Sequence, residues 1–245
     1  GYFKAQDSNK SHVLVATSGD TGAAVANGFL NIDGVEVHIL FPKGKVSEYQ
    51  ERQMTTLGGN INAYEVEGTF DDCQSLVKQA FSDNELKEKM SLSSANSINV
   101  ARFLPQMLYY FIASNTLKNK NLNNITYSVP SGNFGNLTAG LYANALGLPV
   151  ENFIASTNRN DTFINYLMSV TYEPKPSVLT YSNAMDVGAP SNFTRILDLF
   201  DNDWQAIKGK IDGIAVSDEE TLQIMDRIYS ATGYIIDPHG AVGYL

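Results

Sequence analysis

The sequence predicts an α/β protein of two lobes, each built on a mainly parallel sheet flanked by helices. Three observations predict it. Short β-branched runs alternate with stretches of helical periodicity, and strand–helix–strand spacing of this kind requires right-handed crossovers between parallel strands. Two of the strands run directly into glycine-containing turns that open helices. The length of 245 residues, 43% of them hydrophobic, exceeds the usual single-domain size, and a polar tract rich in Asn and Lys interrupts the chain near its middle.

The elements follow in order. Residues 13–16 are an apolar strand, Thr17-Ser-Gly-Asp-Thr-Gly22 is a tight turn, and 23–30 has helical spacing. Strands are expected over 35–41 and 61–66, with helices over 47–57 and 71–81. The polar tract over 115–124 reads as an exposed connector, which divides the chain into lobes of residues 1–115 and 116–245. Beyond it, 125–129 is a strand leading into Pro130-Ser-Gly-Asn-Phe-Gly-Asn136, 137–146 is a helix stopped by Gly147-Leu-Pro149, and 152–157 is another strand. The Pro, Ser and Asn content of 172–190 predicts irregular structure that covers a site. Helices follow near 191–200 and 217–232, the second opening on a capping box, Ser217-Asp-Glu-Glu220.

Composition narrows the function. The 17 Lys+Arg against 26 Asp+Glu give a net charge of −9, and the positive residues are scattered, which argues against nucleic acid and anionic membranes as partners. The single cysteine, Cys73, allows neither an internal disulfide nor a cysteine metal cluster and is expected to be a small core residue. His12, His38 and His239 do not group in sequence with other metal ligands, so no metal is expected; His239 would orient a loop, and the other two would be satisfied strand residues. No stretch approaches the ~20 apolar residues of a membrane helix and no signal peptide opens the chain, so a cytoplasmic protein is expected. The missing initiator Met and the stop at Gly240-Ala-Val-Gly-Tyr-Leu245 suggest a piece of a longer polypeptide.

In a parallel sheet, ligands bind beyond the carboxyl ends of strands, where loops feed helix N-termini. Pro130-Ser-Gly-Asn-Phe-Gly-Asn136 has that position, and its glycines let backbone amides approach an anion. It is either a phosphate cradle or an ordinary strand–helix turn, and its spacing departs from both dinucleotide and Walker loops. Ser18-Gly-Asp-Thr-Gly22 offers hydroxyls, a carboxylate and amides for a ligand, or else simple helix capping by Ser18 or Asp20. In Ser94-Ala-Asn-Ser-Ile-Asn-Val-Ala-Arg102, a helical Arg102 shares a face with Gln106, so that neighbouring donors could hold its guanidinium for a phosphate or carboxylate; surface polarity is the alternative.

Taken together, Ala16-Thr-Ser-Gly-Asp-Thr-Gly22, Glu67-Gly-Thr-Phe-Asp-Asp-Cys73, Asn96-Ser-Ile-Asn-Val-Ala-Arg102, Val129-Pro-Ser-Gly-Asn-Phe-Gly-Asn136, Met185-Asp-Val, Pro190-Ser-Asn-Phe193 and Asp237-Pro-His-Gly-Ala-Val-Gly243 resemble, in that order, the threonine synthase family. The resemblance implies a fold type II enzyme dependent on pyridoxal phosphate, in which 1–115 is the smaller, substrate-side lobe and 116–245 the larger lobe holding the cofactor phosphate. It implies Gly132, Asn133, Phe134, Gly135 and Asn136 as the phosphate loop. Ser18, Asp20 and Thr21 would face the substrate carboxylate and the cofactor ring. An acidic Asp20 beside the ring would have to be protonated, turned away or paired. Asn96, Ser97 and Arg102 would surround the substrate's γ-phosphate, with Lys43 or Lys45 either a further cation or simply solvated.

The family's Schiff-base lysine sits in an Ala-Phe-Lys-Asp context. Phe3-Lys4 imitates it, but Ala5 stands where Asp is expected, so the catalytic lysine is expected upstream and Lys4 at the exposed end of a helix. The implied activity is that of a lyase, converting O-phospho-L-homoserine and water to L-threonine and phosphate at the last step of threonine biosynthesis. This stretch alone would be inactive, would bind the cofactor weakly or not at all, and would self-associate or be disordered over residues 1–12. The competing expectations are a threonine synthase-like phospholyase that makes no threonine, and a non-catalytic α/β module binding a nucleotide or phosphosugar.

Overall fold

A computed structural model describes residues 10–96, 99–120, 122 and 124–245. Lys4, Ser97 and the expectation of disorder as far as residue 9 lie outside those residues; Ser11 and His12 already belong to a strand. The chain divides into two compact units, residues 1–99 and 100–245.

Described residues of the first unit form β1 (Ser11–Ala16), α1 (Asp20–Phe29), β2 (Val35–Pro42), α2 (Glu48–Thr55), β3 (Ile61–Val66), α3 (Phe70–Ser82), α4 (Asn84–Lys89) and β4 (Ser91–Ser94). The four strands make one parallel sheet in the order β3-β2-β1-β4, with Val15 opposite Ile39 and Val13 opposite Ser93. Alternation in β1 and β2 sends Val13, Val15, Val37 and Ile39 to one face, where they pack with Ala26 and Met54. The opposite face gathers Leu14 and Leu40 around Cys73 and Val77 of α3. Burying a branched side chain completely, as at Val15, Val37 and Ile39, contributes about 1.5–3 kcal/mol each. Cys73 is the core residue its sequence context predicts, and burial pushes its thiol up to about 11.

The second unit contains α5 (Val100–Phe103), a 3-10 turn at Leu104–Gln106, α6 (Met107–Lys118), β5 (Thr126–Pro130), α7 (Gly135–Ala145), β6 (Asn152–Thr157) and α8 (Thr162–Ser169). A 3-10 turn at Asn183–Met185, α9 (Phe193–Leu199), α10 (Trp204–Lys210), β7 (Ile211–Ala215), α11 (Asp218–Thr232) and α12 (Pro238–Tyr244) complete it. Its sheet is parallel in the order β5-β6-β7, with Ala155 between Val129 and Gly213. Helix α7 is buried along nearly its whole length, and its Leu137, Ala139, Leu141 and Ala143 join Phe153, Phe163, Ile207 and Ile211 in the main core.

The expected strands and helices stand where periodicity puts them, within a few residues. Three features differ. The units divide at Asn99/Val100 rather than at 115/116, because α6 runs on to Lys118 and packs against α7 through Tyr110, whose hydroxyl donates to the Asn136 carbonyl at 2.7 Å. Strands β4 (Ser-Leu-Ser-Ser) and β7 (Ile-Asp-Gly-Ile-Ala) were not expected; among the described residues each pairs with a single neighbour at an edge of its sheet, where polar residues and glycine are tolerated. Helix α6 and the short helices α4, α8, α10 and α12 were also not expected. His12 on β1 and His38 on β2 are the satisfied strand residues expected: Nδ1 of the first lies 3.0 Å from Nε2 of the second, and the His38 ring stacks on Tyr64. Burial, reinforced by His12, lowers the pKa of His38, while Glu36 opposes the shift.

Candidate functional site

The loop after β5 is the best-defined candidate. Helix α7 starts at Gly135 on an N-cap, Phe134, whose backbone is left-handed (φ 59°, ψ 17°) and whose side chain offers no cap. A non-glycine residue pays for that conformation with strain, and packing must hold it there. The packing is visible: the Phe134 ring is 2% exposed and lies 4.7 Å, centroid to centroid, from Phe163. Next to it, a Cβ built on Gly132 would lie 2.6 Å from the Met185 Cα, so only glycine fits beneath that backbone.

The rest of the loop is braced from within. Asn136 donates from Nδ2 to the Pro130 carbonyl at 2.8 Å, and its Oδ1 accepts from Ser131 Oγ and from the Leu137 amide, both at 2.9 Å. Asn133 Oδ1 accepts from the Ser191 amide (2.5 Å) and hydroxyl (3.0 Å), while Asn192 Nδ2 donates to the Asn133 carbonyl at 2.9 Å. These bonds use side chains and carbonyls. Among the described residues, none accepts from the amides of Gly132, Phe134, Gly135 or Asn136; the first protein-bound amides of α7 are those of Leu137 and Thr138. Several amides without an acceptor among the described residues, at the positive end of an 11-residue helix, are donors that an anion can use.

The loop after β1 is built on related lines. Gly19 occupies the N-cap of α1 with φ 141°, a conformation that favours glycine. The cap is supplied by Thr17, whose Oγ1 accepts from the amides of Gly19 and Gly22 at 2.9 Å each. This corrects the expectation of capping by Ser18 or Asp20. A buried hydroxyl one residue earlier does that work, because Gly19 folds the chain back over it. Ser18 and Thr21 keep their hydroxyls, and Ser18, Asp20 and Thr21 their amides, without a partner among the described residues. Asp20 is paired: Gln50 Nε2 donates to its Oδ1 at 2.7 Å. Gln50 itself is placed by the capping box of α2, its Oε1 accepting from the Ser47 amide at 3.1 Å.

Asn96 lies in the loop after β4 and is buried. Its Oδ1 accepts from the Ala16 amide at 2.8 Å and its Nδ2 donates to the Ala16 carbonyl at 2.5 Å, so it clamps the end of β1 as a neighbouring strand would. Arg102, in the other unit, is half-buried on α5 with no ion pair or hydrogen bond to its guanidinium among the described residues, and burial lowers its pKa. Gln106, expected to steady that guanidinium, instead donates from Nε2 to the Arg102 carbonyl at 3.2 Å, because the chain tightens into the 3-10 turn there. Lys43 faces Glu67 at 3.0 Å on the surface, as a solvated lysine would.

The sequence places Asp186 within Met185-Asp-Val but assigns it no role. Its buried carboxylate accepts from Thr180 Oγ1 (2.7 Å), the Thr180 amide (3.1 Å), Asn158 Nδ2 (2.9 Å) and Asn160 Nδ2 (3.2 Å). Burial pushes its pKa up to about 6, against these donors. The network ties the irregular segment 172–190 to the end of β6, beside the Met185 backbone that roofs Gly132.

The profile of the family described as "Pyridoxal-phosphate dependent enzyme" matches residues 2–245. The chain is 51% identical over 233 residues to the threonine synthase of Escherichia coli (strain K12), covering 95% of this chain and 54% of that protein. The crystal structure of threonine synthase from Escherichia coli matches with a TM-score of 0.91 at 50% identity, over 96% of this chain and 55% of that one. The PLP-bound threonine synthase from Brucella melitensis matches with a TM-score of 0.84 at 37% identity, over 99% of this chain and 57% of that one. The chain spans about half the length of the curated relatives it matches.

Proposed function

Because the chain belongs to the family of pyridoxal-phosphate-dependent enzymes, we propose that it supplies the cofactor-phosphate cradle and the substrate loops of a threonine synthase, a cytoplasmic lyase. That enzyme would convert O-phospho-L-homoserine and water to L-threonine and phosphate. The observation that carries the reading is the braced loop at Gly132–Asn136, whose unsatisfied amides fit a phosphate dianion in the place where the family's cofactor phosphate is expected. The identity to threonine synthases supports the choice of substrate.

The roles divide as follows. The amides of Gly132, Phe134, Gly135 and Asn136 hold the cofactor phosphate, and Asn133 locks the loop to Ser191 and Asn192. Ser18 and Thr21, with the free amides of their turn, bind the substrate carboxylate. Asp20 is paired with Gln50, whose Nε2 donates to it. Arg102, a desolvated guanidinium with no counter-charge among the described residues, pairs with the substrate's γ-phosphate. Asn96 holds the end of β1, from which the Ser18–Thr21 turn springs, through Ala16. Ser97 completes the substrate set. When bound, pyridoxal phosphate supplies an electron sink that acidifies the substrate's carbon-bound protons. An arginine left empty when the phosphate is missing is costly, and this is how the site rejects plain homoserine.

The test uses the protein that carries this chain, purified with cofactor and given O-phosphohomoserine. Threonine and phosphate should appear in equal amounts, and Arg102→Ala should lower kcat/KM by roughly a hundredfold or more while narrowing the preference over homoserine. Release of 2-oxobutyrate in place of threonine would make it a phospholyase. Nucleotide binding with no turnover would make it a binding module and sink the proposal.

A further inference from the structure

We propose that His239 is a positioning residue for the phosphate cradle, acting through the turn at Asn183–Met185 that roofs Gly132. The inference rests on the cradle reading above and concerns what holds that cradle in shape.

His239 sits in the first turn of α12, whose N-cap is Asp237. One oxygen of that carboxylate, Oδ1, accepts from the His239 amide at 2.7 Å and from the Gly240 amide at 3.1 Å, and lies 3.1 Å from the ring's Nδ1. On its other side the ring reaches the Ala184 amide, 3.2 Å from Nε2. An amide can only donate, so Nε2 carries the lone pair and the proton resides on Nδ1, facing Asp237. Orientation and tautomer are therefore fixed together by a residue two positions away.

The Ala184 amide is the point where this matters. Ala184 is the middle residue of the 3-10 turn, and the next residue, Met185, is buried in a small core with Val216, Ile224, Ala241 and Val242. The Met185 backbone is what a Cβ on Gly132 would strike at 2.6 Å, with the Met185 carbonyl only slightly farther at 2.9 Å. The turn and the cradle therefore touch backbone to backbone, with no flexible side chain between them to absorb a displacement. The far end of the same segment is anchored by Asp186 to Thr180 and Asn158. His239 holds the near end. Removing its acceptor leaves the Ala184 amide unsatisfied and allows the turn to move, which shifts the roof over the Gly132 amide.

The experiment follows the amide resonances of Gly132, Gly135 and Ala184 in the 15N-labelled, cofactor-free protein that carries this chain. The probe is pyridoxine 5′-phosphate, which has the phosphate but no aldehyde to react with surface lysines; pyridoxine is the control. In the unmodified chain the phosphorylated probe should shift Gly132 and Gly135, and pyridoxine should not. His239→Leu should weaken that binding about tenfold, the order expected for one lost hydrogen bond, and speed hydrogen exchange at Ala184. His239→Gln places an acceptor oxygen close to where Nε2 lies, and should bring both the affinity and the Ala184 protection back to within about threefold of the unmodified chain. The proposal is overturned if the folded Leu variant binds like the unmodified chain. It is overturned equally if the Gln variant protects Ala184 yet binds as weakly as Leu. Should the Leu variant fail to fold, the Gln variant decides alone: retained binding with a protected Ala184 supports the role, and a tenfold loss in a natively folded Gln variant removes it. If the unmodified chain shows no shift at Gly132 and Gly135, the cradle reading fails first and takes this inference with it.

Discussion

At Gly132 the site depends on the absence of a single carbon. Gly132→Ala would push a methyl group into the Met185 backbone, and overpacking of that kind costs about 1–3 kcal/mol. Thermal unfolding of residues 100–245 should record the loss, and affinity for pyridoxine 5′-phosphate should fall with it. Asp186 gives a prediction of a different sign. Its pKa in the folded chain is raised from 3.8 to about 6, chiefly by burial, so the folded state holds the proton more tightly than the unfolded one. Its contribution to stability is complete below about pH 4 and is lost as pH rises through about 6, a change of about 3 kcal/mol at most. Urea unfolding at pH 4.5 and pH 7 should show that fall, and Asp186→Asn should flatten it. The bonding of Thr17, Gln50 and Asp186 was not legible in the sequence. Thr17, Gln50 and Asp186 owe their roles to partners 2 to 30 positions away, and spacing along the chain does not report which oxygen an amide will find.

Helix starts were more legible than helix partners. Ser217-Asp-Glu-Glu220 forms the capping box its spacing announced, with Glu220 Oε2 accepting from the Ser217 amide at 2.8 Å. The same device opens α2 at Ser47 and α3 at Thr69, where Gln50 and Asp72 stand three residues on. Those two were readable by the same rule. Helix α1 has no such box and depends on Thr17. Thr17→Val keeps the shape and removes the acceptor of two amides, so it should destabilise the first unit by about 1–2 kcal/mol in urea unfolding. Strands β1, β2, β3, β5 and β6 were legible from alternation or β-branched runs, the edge strands β3 and β5 among them, whereas β4 and β7 were missed. The polar sequence of β4 takes its conformation from β1, with which it pairs from Ser91 to Ser94.

At the scale of the molecule, the parallel α/β class followed from periodicity alone, and the likeness to fold type II enzymes bears it out. The position of the division did not follow. A run of Asn and Lys looks like a linker whether it ends a helix or leaves the protein, and here its first residues continue α6. Each unit has a core of its own: Val13 to Ala95 supply the first, and Phe103 to Ile211 the principal core of the second. Residues 100–245 expressed alone should therefore keep dispersed methyl resonances and a cooperative melt; a molten spectrum would show that the unit borrows stability from elsewhere. The left-handed backbone of Phe134 has a consequence at this scale too. An unfolded chain has no reason to hold that residue in such a conformation, and the ring that secures it is seated only once the aromatic interior around Phe163 has closed. Affinity for the anion thus becomes a gauge of maturity, since half-assembled molecules would release the ligand and fully condensed ones would retain it.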